Sequence, residues 1–136
     1  MTEAVYKLLT KPRKIRGQIK KAEAEMEGLK LSMLPGAIRY DKDKVQASPQ
    51  DPMAQYAVRL DDLERKIEDL QTEYLNAQDE VVTVANELTS PGDVIITLRF
   101  ISGWDFQSIA KEISMSERQM FRYYKVAQEE LTKRCQ

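Results

Sequence analysis

From Met53 to Leu88 the apolar residues Met53, Tyr56, Leu60, Leu63, Ile67, Leu70, Tyr74, Ala77, Val81, Val84 and Leu88 recur in alternating steps of three and four. That period is the signature of a coiled-coil seam, and it leaves the chain few options: a long helix with one apolar stripe that must find another. Asp51 is placed to cap this helix with Pro52 at its first position, and Ser90-Pro91-Gly92 to end it. An earlier stripe, Ile15, Ile19, Ala22, Met26, Leu29 and Met33, has the same spacing and stops before Pro35-Gly36. Pro12 is expected to start this first helix, or to kink it after a short turn through Tyr6 to Leu9. Residues 35–52 hold three prolines and no apolar period, which predicts a connecting loop.

An amphipathic helix cannot hide its stripe alone, so residues 1–90 are expected to form an antiparallel helical hairpin or coiled coil. The second stripe outruns the first by roughly two heptads, and the surplus must be covered by the C-terminal domain or by a second subunit. A homodimer through the coiled coil is the preferred reading, with a closed monomeric hairpin as the alternative.

Residues 91–136 carry a different pattern. Val94, Ile95, Leu98 and Ile101 recur at helical spacing up to Gly103, and Trp104 and Phe106 are expected to pack that helix onto the two that follow. In FQSIAKEISMSERQMFRY, from Phe106 to Tyr123, Ile109 and Ile113 face inward from a short helix. Ala110 is small enough for a second helix to cross closely, and Met115, Met120 and Tyr123 complete the corner. Asp105 and Ser116 are placed as N-caps of the two helices. Ser114 stands at the turn, where a left-handed backbone usually favours glycine. The fold class is therefore all-α: the hairpin, then a three-helix helix-turn-helix domain.

The outward residues of that motif suggest what it does. Met120, Tyr124, Ala127 and Leu131 line one side of the last helix, while Arg118, Arg122 and Lys125 line the opposite side. Arginine can fork onto guanine O6 and N7, Gln119 can pair with adenine, and Glu117 can accept from a cytosine amino group. Ser116 and Lys125 can hold phosphates, as can Gln107 and Ser108 from the first turn of the preceding helix. These eight residues are the candidate contacts to double-stranded DNA. A plain solvated face is the competing reading of any charged helix surface.

Composition narrows the remaining classes. The absence of histidine removes mixed Cys/His zinc sites, Ser-His-Asp and Cys-His nucleophiles, and imidazole acid/base chemistry. No glycine-rich phosphate loop occurs, and carboxylate pairs such as Asp41 with Asp43, or Asp61 with Asp62, read as solvated charge. The expectation is a protein that is not an enzyme and needs no metal or cofactor. Charged residues reach 32%, and the net charge is only −1. The acidic excess is confined to residues 31–90, with six basic and twelve acidic residues, against eight and four in 1–30 and seven and six in 91–136. That arrangement keeps the middle of the chain off a DNA backbone while leaving the end free to approach it. No signal peptide and no membrane span are recognisable, and the lone Cys135 is expected to be exposed and reduced; both fit a cytoplasmic protein without membrane contact.

Leu98, Arg99, Phe100, Gly103, Trp104, Ile109, Ala110, Met115, Ser116 and Ala127 together resemble the fourth region of bacterial sigma factors. They resemble more closely the phage and prophage regulators of Gram-positive bacteria grouped with late-gene and autolysin regulators. The match covers about a third of the chain, and the N-terminal coiled coil is similar to that group too. What the resemblance implies is sequence-specific DNA binding near a promoter, with contact to host RNA polymerase, through Ser116, Arg118, Gln119 and Arg122. Glu117 and Phe121 stand where sigma factors often have arginine, so a sigma-like promoter preference does not carry over. A small-terminase-like packaging protein and a polymerase-docking module that reads no bases are the alternatives.

Overall fold

A computed structural model describes residues 2–33 and 51–135, and every regular element among them is a helix: α1 (Glu3–Ser32), α2 (Pro52–Asn86), α3 (Gly92–Phe100), α4 (Phe106–Glu112) and α5 (Glu117–Arg134). The loop expected at 35–52 lies outside the described residues, apart from Asp51 and Pro52. Asp51 does cap α2, its carboxylate accepting the Met53 N–H at 3.0 Å, and Pro52 takes the first helical position. The chain divides into two compact units, Met1–Ile15 with Glu73–Gln136, and Arg16–Thr72.

Pro12 does not start α1, which already begins at Glu3 and runs through the proline, so the separate short turn expected through Tyr6 to Leu9 is part of the same helix. A proline inside a helix removes one N–H bond and crowds the preceding turn, at a cost of about 3 kcal/mol or more. Here Pro12 sits in a line of buried residues with Val5, Leu9 and Ile15. Burying each of those three aliphatic side chains returns about 1.5–3 kcal/mol, which outweighs the defect. The earlier start makes α1 30 residues long against 35 for α2, so the helices differ by five residues and not by the two heptads that separate their apolar stripes.

The first unit contains two small cores that share two helices, α3 and α5. Val5 and Leu9 of α1 meet Val81 and Ala85 of α2, Leu88, Ile96 of α3, and Ala127 and Leu131 of α5. Ile95 of α3 joins Ile109 and Ala110 of α4 and Met120 of α5 in the other. The adjacent pair Ile95-Ile96, about 100° apart on α3, therefore serves two cores at once, which explains why Val94, expected to face inward, is 39% exposed. Tyr124 packs against both cores, and burial raises its phenol above the ordinary tyrosine range.

The helix ends differ from the sequence expectation in one place. α2 stops at Asn86, four residues before Ser90-Pro91-Gly92, through tight turns in which Glu87 and Leu88 donate to the carbonyls of Val84 and Ala85. Leu88, the last member of the seam, is thus outside the helix yet buried. The segment is pinned to α5 by Glu130, which accepts the Thr89 N–H at 3.1 Å, and by an Arg134–Glu87 ion pair. Gly92 opens α3 where a Cβ would meet the Ala127 Cβ at 3.1 Å, so its lack of a side chain sets the approach of α3 to α5.

In the second unit Ala22, Ile67 and Leu70 are buried, while Met26, Leu29, Leu60 and Leu63 are half-buried and Met53 is exposed. Leu29 and Glu25 line one groove with Arg59, Asp62 and Leu63. The stripe read from the sequence is the inner face of both helices, though its burial fades toward the start of α2.

Candidate nucleic-acid interface

The corner between α4 and α5 is built from hydrogen bonds that local sequence chemistry dictates. Ser114 adopts a left-handed conformation, φ 58°, and around it Met115 donates to the Ala110 carbonyl at 2.9 Å and Ser114 to Lys111 at 3.1 Å. This pair of bonds is the helix-ending arrangement normally closed by glycine. Ser114→Gly is therefore expected to stabilise the protein by about 0.5–1 kcal/mol, relief of left-handed strain exceeding the added chain entropy. An unchanged or lowered midpoint in urea would show that Ser114 bears no strain.

Both helices are capped as the sequence suggested. The Ser116 hydroxyl accepts the Gln119 N–H at 3.1 Å, and the Asp105 carboxylate accepts the Ser108 N–H at 2.7 Å. Those bonds from Ser108, aided by the charges of Arg99 and Lys111, hold the Asp105 carboxyl below its ordinary value. A carboxyl lowered by folding stabilises fully above its unfolded pKa and loses that contribution as pH falls through the folded value. Asp105→Asn keeps a capping oxygen without the charge. The stability difference between wild type and this variant should shrink as acid is added below pH ~4, measured by thermal melts across that range.

Packing fixes how α4 meets α5. The Phe106 ring lies 4.9 Å from Phe121 and 5.1 Å from Tyr124, and the Arg99 guanidinium stands 4.3 Å above it. Arg99 also donates to the Trp104 carbonyl at 3.0 Å, so α3, its trailing turn and α4 are tied through one cation. Phe106 thus packs as expected, but Trp104 does not: it is 36% exposed, on the turn where Gly103, at φ 75°, carries the chain away from α3. Tyr123 is also exposed, because it lies about 60° off the Met120 line whereas Tyr124 lies within about 40° of it. Cys135, expected to be exposed, is half-buried against the core, being one helical turn beyond Leu131.

All eight candidate contact residues, Gln107, Ser108, Ser116, Glu117, Arg118, Gln119, Arg122 and Lys125, are exposed. Arg118 and Arg122 lie about 160° around α5 from buried Met120, and Lys125 about 140°. They form one basic face, and among the described residues no carboxylate pairs with any of the three. Gln119 and Glu117 fall on opposite flanks of that face, with Glu117 in the first turn where its charge favours the helix dipole. Ser116 and Ser108 are already engaged in the two caps, which leaves Gln107 as the uncommitted residue at the start of α4. The Phe106–Phe121 contact places that first turn beside the N-terminal part of α5.

Phe121, 42% exposed on the edge of the basic face, is not among the eight candidate contact residues and figures in the sequence only as a position where sigma factors often have arginine. Its spacing, one residue from Met120 and from Arg122, gave no apolar period that would reveal it. Among the described residues no group of His, Cys, Asp or Glu is arranged to hold a metal ion, and no helix is long and apolar enough to cross a membrane. Compared with known protein families, curated proteins and solved structures, the chain matches none.

Proposed function

We propose that the chain is a sequence-specific DNA-binding transcriptional regulator of the phage or prophage type, acting in the cytoplasm of a bacterial host. In this reading α4, the Ser114 turn and α5 work as a helix-turn-helix, with α5 entering the major groove. One observation carries it. Arg118, Arg122 and Lys125 stand exposed, with no carboxylate partner among the described residues, on a single face of a capped helix whose opposite face, Met120, Ala127 and Leu131, is buried. Unpaired arginines on a rigid support are what bidentate guanine recognition requires.

The N-terminal part is proposed as an antiparallel hairpin that holds this head. Two local pairings support it: Val5 and Leu9 with Val81 and Ala85, and Leu29 with Arg59 and Leu63. Dimerisation through the same helices would present two heads to paired half-sites. The half-buried start of the α2 seam, rather than a surplus of length, is the surface left for it.

The test is selection from a pool of random duplexes at near-physiological salt, with an Arg118→Ala, Arg122→Ala variant alongside. The wild type should enrich a motif, in two parts if it acts as a dimer, and the variant should not. A wild type that enriches nothing would overturn the reading. A second reading is favoured by Trp104 and Phe121, both exposed on the head: docking on a protein such as RNA polymerase without base readout. Partner binding that survives loss of Arg118 and Arg122 but fails in Phe121→Ala would support it.

A further inference from the structure

Residues 4–22 hold seven basic residues and no acidic one, and all of them lie within helix α1. In the first unit, Lys7, Lys11 and Lys14 step by four and three along α1, within about 40° of the direction opposite Leu9. Leu9 faces Ala127 and Leu131, the inner side of α5, so these lysines point away from α5 and its arginines. All three are exposed. Lys7 pairs with Glu3 at 3.2 Å, and among the described residues no ion pair engages Lys11, Arg13 or Lys14. Elsewhere in the chain Arg65 is paired with Asp61 and Arg134 with Glu87, and Arg99 is stacked on Phe106. Like charges three and four residues apart destabilise a helix, so this face carries a repulsion that a bound polyanion would relieve.

We infer that this lysine ridge of α1 is a second nucleic-acid contact, one that takes the phosphate backbone of a duplex without reading its sequence. Protein partners fit it poorly. Positions 7, 11, 14 and 18 are all polar, whereas protein interfaces are anchored by aromatic and apolar side chains and are depleted in lysine. Compact lysine ammonium groups without a bidentate geometry suit phosphates, which are repeated charges that need only proximity. Because the ridge points away from the α5 face, the two surfaces meet different stretches of nucleic acid, either two segments or one that bends around the unit.

The experiment is titration of the full chain with a short duplex of scrambled sequence over a range of salt, for wild type and a Lys11→Ala, Lys14→Ala variant. Each phosphate contact contributes about 0.9 to the logarithmic salt slope, so the variant should lose about two units of slope and on the order of tenfold in affinity at low salt. Alanine at exposed helical positions preserves the helix, and thermal melts of both proteins verify it. Unchanged slope and affinity would overturn the inference. So would a salt-sensitive self-association in sedimentation that the variant abolishes while duplex binding stays the same, since the ridge would then serve a second copy. The result does not depend on base readout by α5: a chain that enriches no motif but loses scrambled-duplex binding in this variant keeps the ridge and loses the regulator reading.

Discussion

Replacing Leu131 by alanine is expected to destabilise the protein by about 2–5 kcal/mol. Leu131 is fully buried, and it closes a core to which α1, α2, α3 and α5 all contribute, through Val5, Leu9, Val81, Ala85, Ile96 and Ala127. Its removal leaves a cavity whose walls belong to four separate helices, each held by contacts of its own, so the site cannot collapse to refill it. Domains of this size have about 5–15 kcal/mol of stability in all, which makes the loss a large share. Leu75→Ala is the matched control, because Leu75 is 60% exposed and its truncation should fall within about 0.5 kcal/mol. Urea titrations followed by circular dichroism would compare the two. A Leu131→Ala cost below about 1 kcal/mol would mean that the C-terminal end of α5 is not held in this core.

The same core shows where sequence reasoning reaches and where it stops. Period-three-and-four stripes identified the inner faces of α1, α2 and α5, because a solvated helix must bury one side wherever its partner happens to be. Caps and turns were equally legible, since Asp51, Asp105, Ser116 and Ser114 act within four residues of their own position. Pro12 was misread because a local rule, loss of one hydrogen bond, competes with burial of neighbours that only tertiary structure supplies. Val94 and Trp104 were misassigned to the core for a related reason. α3 lies between two cores and buries adjacent residues, Ile95 and Ile96, so a single stripe does not describe it. The candidate contact face follows from periodicity alone, but that no carboxylate among the described residues pairs with its arginines does not, because that depends on where the folded chain places its charges.

Substituting Arg118 and Arg122 together by alanine should weaken binding to the selected site by about 2–6 kcal/mol, roughly 30- to 10⁴-fold, if each makes one bidentate guanine contact worth about 1–3 kcal/mol and the two act independently. Neither side chain packs into the core or pairs with a carboxylate among the described residues, and alanine is a strong helix former, so folding should be unaffected. Removing two charges also weakens binding to any duplex, so the deciding quantity is the ratio of affinities for selected and scrambled sites. That ratio should collapse in the double variant. Lys125→Ala gives the contrast: it should lower both affinities alike, leave the ratio intact and reduce the salt slope by about one. A double variant that behaved like Lys125→Ala, losing affinity while keeping the ratio, would place both arginines on phosphates. Base discrimination would then have to come from the flanks of α5, where Gln119 and the exposed Phe121 stand, the latter able to meet a thymine methyl group.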